Sequence, residues 1–232
     1  MVSSDVGDSG STGVISVLLD PFITDNPLHR NLDLKSVAAG LNHIIVSHGH
    51  TDHIADLVEI AKLSNALVTA NHEICVWAKS KGVRNVNPMN TGGTVDLGAF
   101  KVSLTIAHHS SSHVEEDGTL VYLGNPNGIV IEAVGEPTLY YAGDTSVFTD
   151  MALIDEFYKP RIGILPIGDR FTMDGRKAAF AAKKYFHFSH VIPCHYMTYD
   201  MIDQNADGLA NELAGSGVEV YAPKPGGTVE IK

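Results

Sequence analysis

The sequence predicts a mixed α/β fold in which two β-sheets are covered by helices. Three observations support this prediction: strand-like runs outnumber helical ones, helices recur after strands at intervals, and the first half of the chain is mostly sheet. This pattern favours two helix-covered sheets over a pure β-sandwich or a doubly wound parallel sheet.

Each element is predicted from the periodicity of its apolar residues. Apolar residues at helical spacing predict a helix from Ile54 to Leu63, and short β-rich runs predict strands. Gly98 separates two such runs into a hairpin. In chain order, the predicted elements are strand 43–47, helix 54–63, strand 66–70, helix 74–81, hairpin 94–97 with 100–107, strands 120–123, 128–132 and 138–142, helix 150–158, strand 162–166, helix 176–185, strand 191–193, helix 208–215 and two short C-terminal strands.

The chain is expected to form a single domain over residues 14–232, preceded by a flexible leader at residues 1–13. The leader is rich in Ser, Gly and Asp and poor in apolar residues, a composition typical of flexible segments. The whole chain has 232 residues, of which 44% are hydrophobic, and this is enough for one large core.

Composition excludes several classes of partner. The formal net charge is −11, with 27 acidic against 16 basic residues, which argues against binding to nucleic acid. The apolar runs are far shorter than the roughly 20 residues of a membrane helix, and no secretory signal pattern is present, so a cytoplasmic protein without a membrane partner is expected. Cys75 and Cys194 have no paired spacing, which argues against a disulfide framework. The sequence does not decide whether the chain forms a homo-oligomer.

One segment concentrates metal-binding side chains. An apolar strand runs directly into His48, Gly49, His50, Thr51, Asp52 and His53, and a helix follows. If the chain is still extended there, His48 and His50 point to the same side and can bind one ion. Gly49 would allow tight turning of the backbone between the ligands. Imidazole and carboxylate together are the ligand set of zinc and related ions, with bonds of about 2.0 to 2.2 Å.

This hexapeptide resembles the His-x-His-x-Asp-His signature of the metallo-β-lactamase superfamily. Further motifs resemble the same family in the same order: Asp20 in Val-Leu-Leu-Asp-Pro-Phe, His108-His109 before Ser110-Ser111, Asp144 in Tyr-Ala-Gly-Asp-Thr, and His195 in Ile-Pro-Cys-His-Tyr. The resemblance implies a four-layer αββα sandwich. It also implies a cofactor of two divalent metal ions, zinc first, with manganese or iron as alternatives.

The resemblance also implies which residues bind the two ions. His48, His50 and a third histidine would bind the first ion, and Asp52, His53 and His195 the second. Asp144 would bridge the ions, and Asp20 would orient the ligand loop from outside. Adjacent strand residues face opposite ways, so only one of His108 and His109 is expected to reach the metal. In relatives the ligand directly precedes Ser-Ser, which selects His109.

More narrowly, the segments at Asp20–Pro27, Ala142–Met151 and Leu165–Met173 resemble a poorly characterised family of metal-dependent hydrolases. That family is similar to the ascorbate-phosphate lactonases. Relatives usually start with a β-hairpin that carries a Gly-His motif, and here the serine- and glycine-rich leader stands in its place. A missing hairpin would expose a sheet edge, so the presence of the first hairpin, and with it catalytic activity, is left open.

The expected activity is hydrolysis of an ester, lactone or phosphoester bond in a small, anionic molecule by a metal-bound hydroxide. Asp52 would take a proton from the attacking water or pass one to the leaving group. Three alternatives remain. A di-iron redox protein would favour glutamate where this chain has His50, and a nuclease would need basic patches. The third is a metal-binding scaffold without catalysis.

Overall fold

The computed structural model describes residues 2–5, 14–29 and 32–231, with the backbone alone at residues 2–5. Within these ranges the helices are α1 (Leu34–Ala38), α2 (Thr51–Ile54), α3 (Leu57–Ser64), α4 (His72–Ser80), α5 (Met151–Tyr158), α6 (Gly175–Tyr185) and α7 (Asp207–Leu213). The strands are β1 (Val2–Asp5), β2 (Val14–Leu19), β3 (His43–Ile45), β4 (Leu67–Asn71), β5 (Val86–Met89), β6 (Thr94–Asp96), β7 (Phe100–Ile106), β8 (Ser112–Val114), β9 (Leu120–Tyr122), β10 (Asn127–Ala133), β11 (Leu139–Tyr141), β12 (Ile162–Pro166), β13 (His190–Cys194) and β14 (Glu219–Val220). Not one of these helices has the length and apolar character that crossing a membrane requires.

The chain divides by its internal contacts into two compact units. Unit 1 comprises Met1–Val95 and Ser110–Pro126, and unit 2 comprises Asp96–His109 and Asn127–Lys232. Each unit has its own sheet and its own hydrophobic cluster. The single domain expected over residues 14–232 stays a prediction.

Unit 1 is built on a five-stranded sheet in the order β1-β2-β3-β4-β5. Strands β2 to β5 are parallel to one another. Their apolar residues form a core with residues of α1, α3 and α4, including the fully buried Ile44, Leu57, Ile60 and Ile74. Because the strands are parallel, the segments that follow β2, β3 and β4 all begin at one edge of the sheet.

The N-terminal segment differs from the sequence prediction. Val2–Asp5 forms a strand that pairs antiparallel with β2, with Val2 opposite Val17 and Asp5 opposite Val14. The flexible leader predicted for residues 1–13 is therefore wrong for these four residues, and residues 6–13 lie outside the described part of the chain. Ser3 and Ser4 have weak strand propensity, so pairing with a neighbouring strand decides their conformation. Strand β1 therefore covers the edge of β2 that a missing first strand would expose.

Unit 2 is built on a larger sheet in the order β14-β13-β12-β11-β10-β7-β6. Strands β11 to β14 are parallel, and β10 runs antiparallel to both β11 and β7. Strand β7 therefore points the same way as β11, and the segments after β7, β11, β12 and β13 all begin at one edge. Helices α5, α6 and α7 contribute to the core of this unit, where Met151, Leu165, Ala179 and Leu209 are fully buried.

Most predicted elements form within a few residues of their predicted bounds, with informative exceptions. The helix predicted at residues 54–63 is two helices, α2 and α3, separated at Ala55 and Asp56. The Asp56 amide donates to the carbonyl of Pro21 instead of continuing a helix. Helix α1 and strands β2, β5 and β8 were not predicted, and β5 contains Pro88, which an edge strand tolerates. Only one of the two predicted C-terminal strands, β14, forms in the described residues.

Candidate metal centre

In unit 1 the predicted ligands gather at the carboxyl edge of the parallel sheet. Asp20 follows β2, and the segment from His48 to His53 follows β3 and runs into α2. Neighbouring parallel strands end side by side, so these two segments meet. His48 and His53 are buried, and Asp52 and His50 are half-buried.

Two imidazoles of this cluster face each other at a spacing that suits a metal ion. The Nε2 atom of His48 lies 3.1 Å from Nδ1 of His50. Two nitrogens on one tetrahedral zinc, with bonds of about 2.0 to 2.1 Å, would lie roughly 3.3 Å apart. The residues present therefore fit a divalent ion in chemistry and in spacing. The extended backbone of His50, with ψ of 152°, agrees with the predicted convergence of the two side chains.

Asp20 connects the histidines of this cluster, as an orienting residue should. Its Oδ2 lies 2.8 Å from Nδ1 of His53, and its side chain is only 5% exposed. This bond leaves Nε2 of His53 on the side of Asp52, whose Oδ2 lies 3.8 Å away. Ligand atoms of Asp20, His48 and His53 all lie within 4.8 Å of one another. The carboxylate thus fixes the ring through one nitrogen and turns the other towards a ligand position.

Sequence reasoning missed Ser47, which extends this network. Its amide donates to Oδ1 of Asp20 at 2.7 Å and its hydroxyl donates to Oδ2 at 2.5 Å. The same hydroxyl lies 2.9 Å from Nδ1 of His48. Asp20 therefore orients His53 directly and His48 through Ser47. The serine directly before the His-x-His-x-Asp-His signature could have indicated this role. Its hydroxyl contacts both the carboxylate of Asp20 and the ring of His48.

A second missed residue, Asp56, holds the segment after Asp20. Its buried carboxylate accepts from the amides of Ile23 and Thr24 at 2.5 and 3.0 Å, and from the Thr24 hydroxyl at 2.5 Å. Asp20 itself has a φ of +44°, a left-handed conformation that residues with side chains seldom adopt. The turn at Asp20 is thus held on both sides, by Ser47 before the signature and by Asp56 after it.

Gly49 has a different role from the predicted one. Its φ is not among the positive values of the chain, so freedom to turn is not what the position requires. A Cβ built on Gly49 would lie 2.4 Å from Cβ of Leu123. The Gly49 amide donates to the Ser111 hydroxyl at 2.9 Å, and that hydroxyl donates to the Leu123 carbonyl at 3.0 Å. Glycine is needed here because the ligand segment passes directly against Leu123.

In unit 2 the remaining predicted ligands also meet at one edge of the sheet. His109 follows β7, Asp144 follows β11 and His195 follows β13. Oδ2 of Asp144 lies 3.1 Å from Nε2 of His195 and 3.7 Å from Nε2 of His109. The Asp144 side chain is only 4% exposed. One carboxylate oxygen therefore faces two imidazole nitrogens, which is the arrangement expected of a bridging ligand.

The structure places His109, and not His108, against Asp144. The His108 ring is exposed and stacks on Phe148, with centroids 4.6 Å apart. Thr145, also missed by sequence reasoning, fixes this segment, because its hydroxyl accepts from the His108 amide at 3.0 Å. The two adjacent side chains therefore contact different residues, Phe148 and Asp144. Metal binding by His109 itself stays a prediction.

His195 lies in a strained turn that is closely packed. Its φ is +55°, and a Cβ added to Gly168 would lie 2.1 Å from the His195 carbonyl oxygen. The next residue, Tyr196, is half-buried, and burial raises the pKa of its hydroxyl above the ordinary value. At neutral pH that hydroxyl is therefore an uncharged hydrogen-bonding group and not a base.

Comparison with known proteins identifies the family. The family model described as the Beta-lactamase superfamily domain matches residues 16–229. The chain belongs to the metallo-β-lactamase superfamily. This result confirms the predicted family and the mixed α/β fold class, and it supports metal-dependent hydrolysis as the general activity.

Curated relatives in this superfamily match nearly the whole chain. A UPF0173 metal-dependent hydrolase of Methylocella silvestris is 52% identical over 91% of this chain and 90% of its own length. Another of the same name, from Sinorhizobium medicae, is 47% identical over 94% and 93%. A solved metallo hydrolase from the archaeon Ignicoccus hospitalis superposes with a TM-score of 0.81 at 32% identity, covering 94% of this chain and 92% of that one.

Proposed function

We propose that this protein is a dinuclear metal-dependent hydrolase that cleaves an ester, lactone or phosphoester bond in a small, anionic molecule. Zinc is the proposed ion, with manganese or iron as the alternatives that imidazole and carboxylate ligands also accept. The proposed first set of ligands is His48, His50 and His109, and the second is Asp52, His53 and His195, with Asp144 bridging.

The observation that carries the proposal is the position of the Asp144 carboxylate. A single oxygen faces the imidazole nitrogens of His109 and His195, at 3.7 and 3.1 Å. These two histidines belong to different ligand sets in the family pattern. A buried carboxylate shared in this way supports two ions rather than one.

Different residues of the site would transfer protons and orient the ligands during hydrolysis. Bound divalent ions would supply Lewis acidity and lower the pKa of water towards 7. Asp52, with a side chain 30% exposed, is accessible enough to accept the proton of an attacking water or to pass one to the leaving group. Asp20 keeps His53 oriented through Nδ1.

Metal content tests the dinuclear site. Protein purified without chelator and reconstituted with zinc should hold close to two ions per chain. Asp144→Asn should lower this number, because a neutral amide bridges two cations poorly. Asp150→Asn is the matched control, since Asp150 is exposed and makes no capping bond to α5. A wild-type plateau at one ion, or equal metal content in both variants, would contradict the proposal.

A panel of model substrates tests the bond class. We expect the zinc-loaded protein to hydrolyse phenyl acetate or a γ-lactone at a rate that falls with Asp52→Asn. Bis(4-nitrophenyl) phosphate in the same panel covers the phosphoester alternative. If the protein binds two ions but hydrolyses none of these three substrates, the result would favour a metal-binding scaffold without catalysis.

A further inference from the structure

A third strand end lies between the two that carry Asp144 and His195. Strand β12 is hydrogen-bonded to β11 on one side and to β13 on the other, and all three are parallel. The segment Gly168–Met173, here called the β12 loop, leaves the sheet at the same edge as these two residues. Ligands of open sheets bind outside this edge.

Both ends of the β12 loop are fixed to the candidate site. Before the loop, the Ile167 amide donates to the Cys194 carbonyl at 3.0 Å, and Gly168 packs so closely that an added Cβ would lie 3.1 Å from Nδ1 of His195. At its other end, the Met173 amide donates to the carbonyl of Thr145 at 3.1 Å. The loop therefore begins against the His195 ring and ends at the residue after Asp144.

The tip of the β12 loop is held in an uncommon backbone conformation. Asp169 and Arg170 have φ values of +56° and +41°, in the region that residues with side chains seldom adopt. The Asp169 amide donates to the Met173 carbonyl at 3.0 Å, and its carboxylate lies 3.2 Å from Nζ of Lys177. These contacts hold the backbone of the loop at Asp169.

The side chains of Arg170 and Phe171 are an exposed cation and an exposed aromatic ring. The guanidinium carbon of Arg170 lies 5.7 Å from the centre of the Phe171 ring, and Phe171 is 51% exposed. Among the described residues no carboxylate lies within ion-pairing distance of Arg170, whereas Lys81, Lys177 and Lys183 all have one. Arg170 thus keeps its charge available to a ligand.

We propose that Arg170 and Phe171 are the specificity-determining residues of the site, and that Arg170 binds an anionic group of the substrate. The Phe171 ring would pack against the apolar part of the same molecule. A carboxylate or phosphate suits the planar guanidinium, which can donate two parallel hydrogen bonds to either. This inference rests on the proposed function, because it places the anion beside the hydrolytic centre.

The negative charge of the whole chain makes a local cation important for binding an anion. A formal net charge of −11 repels an anionic substrate, so recognition needs a local positive group at the site. Lys177 cannot fill this role, since Asp169 and Asp174 both pair with it. Within the β12 loop itself, Arg170 is the one lysine or arginine.

Calorimetry with paired probes tests the proposal without requiring turnover. Benzoate and its neutral analogue benzamide would be titrated into the zinc-reconstituted wild type, Arg170→Gln and Arg170→Lys. Arg84→Gln is the matched control, because Arg84 is exposed and lies outside the site. We expect Arg170→Gln to weaken benzoate binding at least about tenfold, which is the lower limit for a lost hydrogen bond to a charged group. Arg170→Lys should be intermediate, and benzamide binding should not change.

Equal benzoate affinity in Arg170→Gln and Arg84→Gln would overturn the proposal, as would an equal loss for benzamide. Arg170→Gly provides a second variant that tolerates the positive φ and should match Arg170→Gln. In turnover assays, KM for 4-acetoxybenzoate should rise in Arg170→Gln while KM for phenyl acetate stays constant. If the wild type hydrolyses neither ester, the proposed function fails for this bond, and the calorimetric comparison still decides the role of Arg170.

Discussion

Removal of the Asp56 carboxylate should destabilise unit 1 in a graded way. Asp56 is 4% exposed and accepts three hydrogen bonds, two from backbone amides at Ile23 and Thr24 and one from the Thr24 hydroxyl. In Asp56→Asn, the amide oxygen can replace the oxygen that accepts both backbone bonds. The side-chain NH₂ can donate to Thr24 instead. All bonds survive, but none is assisted by charge.

The expected magnitudes follow from this count. Hydrogen bonds to charged groups contribute about 1.5 to 3 kcal/mol each and neutral ones about 0.5 to 1.5, so loss of charge on two amide bonds should cost about 2 to 3 kcal/mol. Asp56→Ala also leaves buried donors unsatisfied and should cost about 3 to 5 kcal/mol. Asp25→Asn, at an exposed position in the same segment, should stay within about 0.5 kcal/mol of the wild type.

Urea denaturation of the metal-free protein, followed by circular dichroism, measures these differences without contributions from bound ions. The order of stability should be wild type, Asp56→Asn, Asp56→Ala. An Asp56→Ala variant as stable as Asp25→Asn would refute the reasoning, because it would show that the three bonds add nothing to the folded state.

Three other perturbations have defined outcomes. His109→Ala should lose bound zinc, measured by elemental analysis, whereas His108→Ala should keep it, and the reverse result would place the other histidine at the metal. Gly49→Ala should lower both zinc content and melting temperature, since its Cβ would overlap Leu123, and unchanged values would show that the segment can shift freely. Burial raises the pKa of the Cys75 thiol from 9.0 to about 11, so the unfolded chain loses its proton first and stability should fall by about 2 to 3 kcal/mol as pH rises through this interval. In urea titrations from pH 8 to 11, Cys75→Ala should remove most of this fall in the free energy of unfolding. If this free energy falls equally with pH in the wild type and in Cys75→Ala, the prediction is wrong.

The candidate ligands could be selected from the sequence because they occur in short local motifs. The spacing of His48 and His50, and the alternation that lets only one of His108 and His109 face a metal, depend only on neighbouring residues and on strand geometry. The choice of His109 depends on the resemblance, because Ser110-Ser111 follows it directly. The structure places these side chains as the motifs indicate. Local periodicity also located most helices and strands, because each apolar face is encoded within its own element.

The supporting residues could not be predicted in the same way, because their partners are distant in sequence. Ser47 contacts Asp20, 27 residues away, and Asp56 contacts Thr24, 32 residues away. A single sequence does not reveal such pairs, and an aspartate at the start of a helix is usually interpreted as a cap. The role of Gly49 was misjudged for the same reason, since the side chain that requires glycine there lies far along the chain.

The backbone at two site residues shows that the protein itself positions the donors. Asp20 and His195 both have positive φ values, and such conformations cost about 1 to 3 kcal/mol each for residues other than glycine. Each is maintained by neighbours that bind no metal in the family pattern: Ser47 bonds to Asp20, and Gly168 packs against His195. Hydrogen bonds and packing within the chain therefore offset the strain at these two positions.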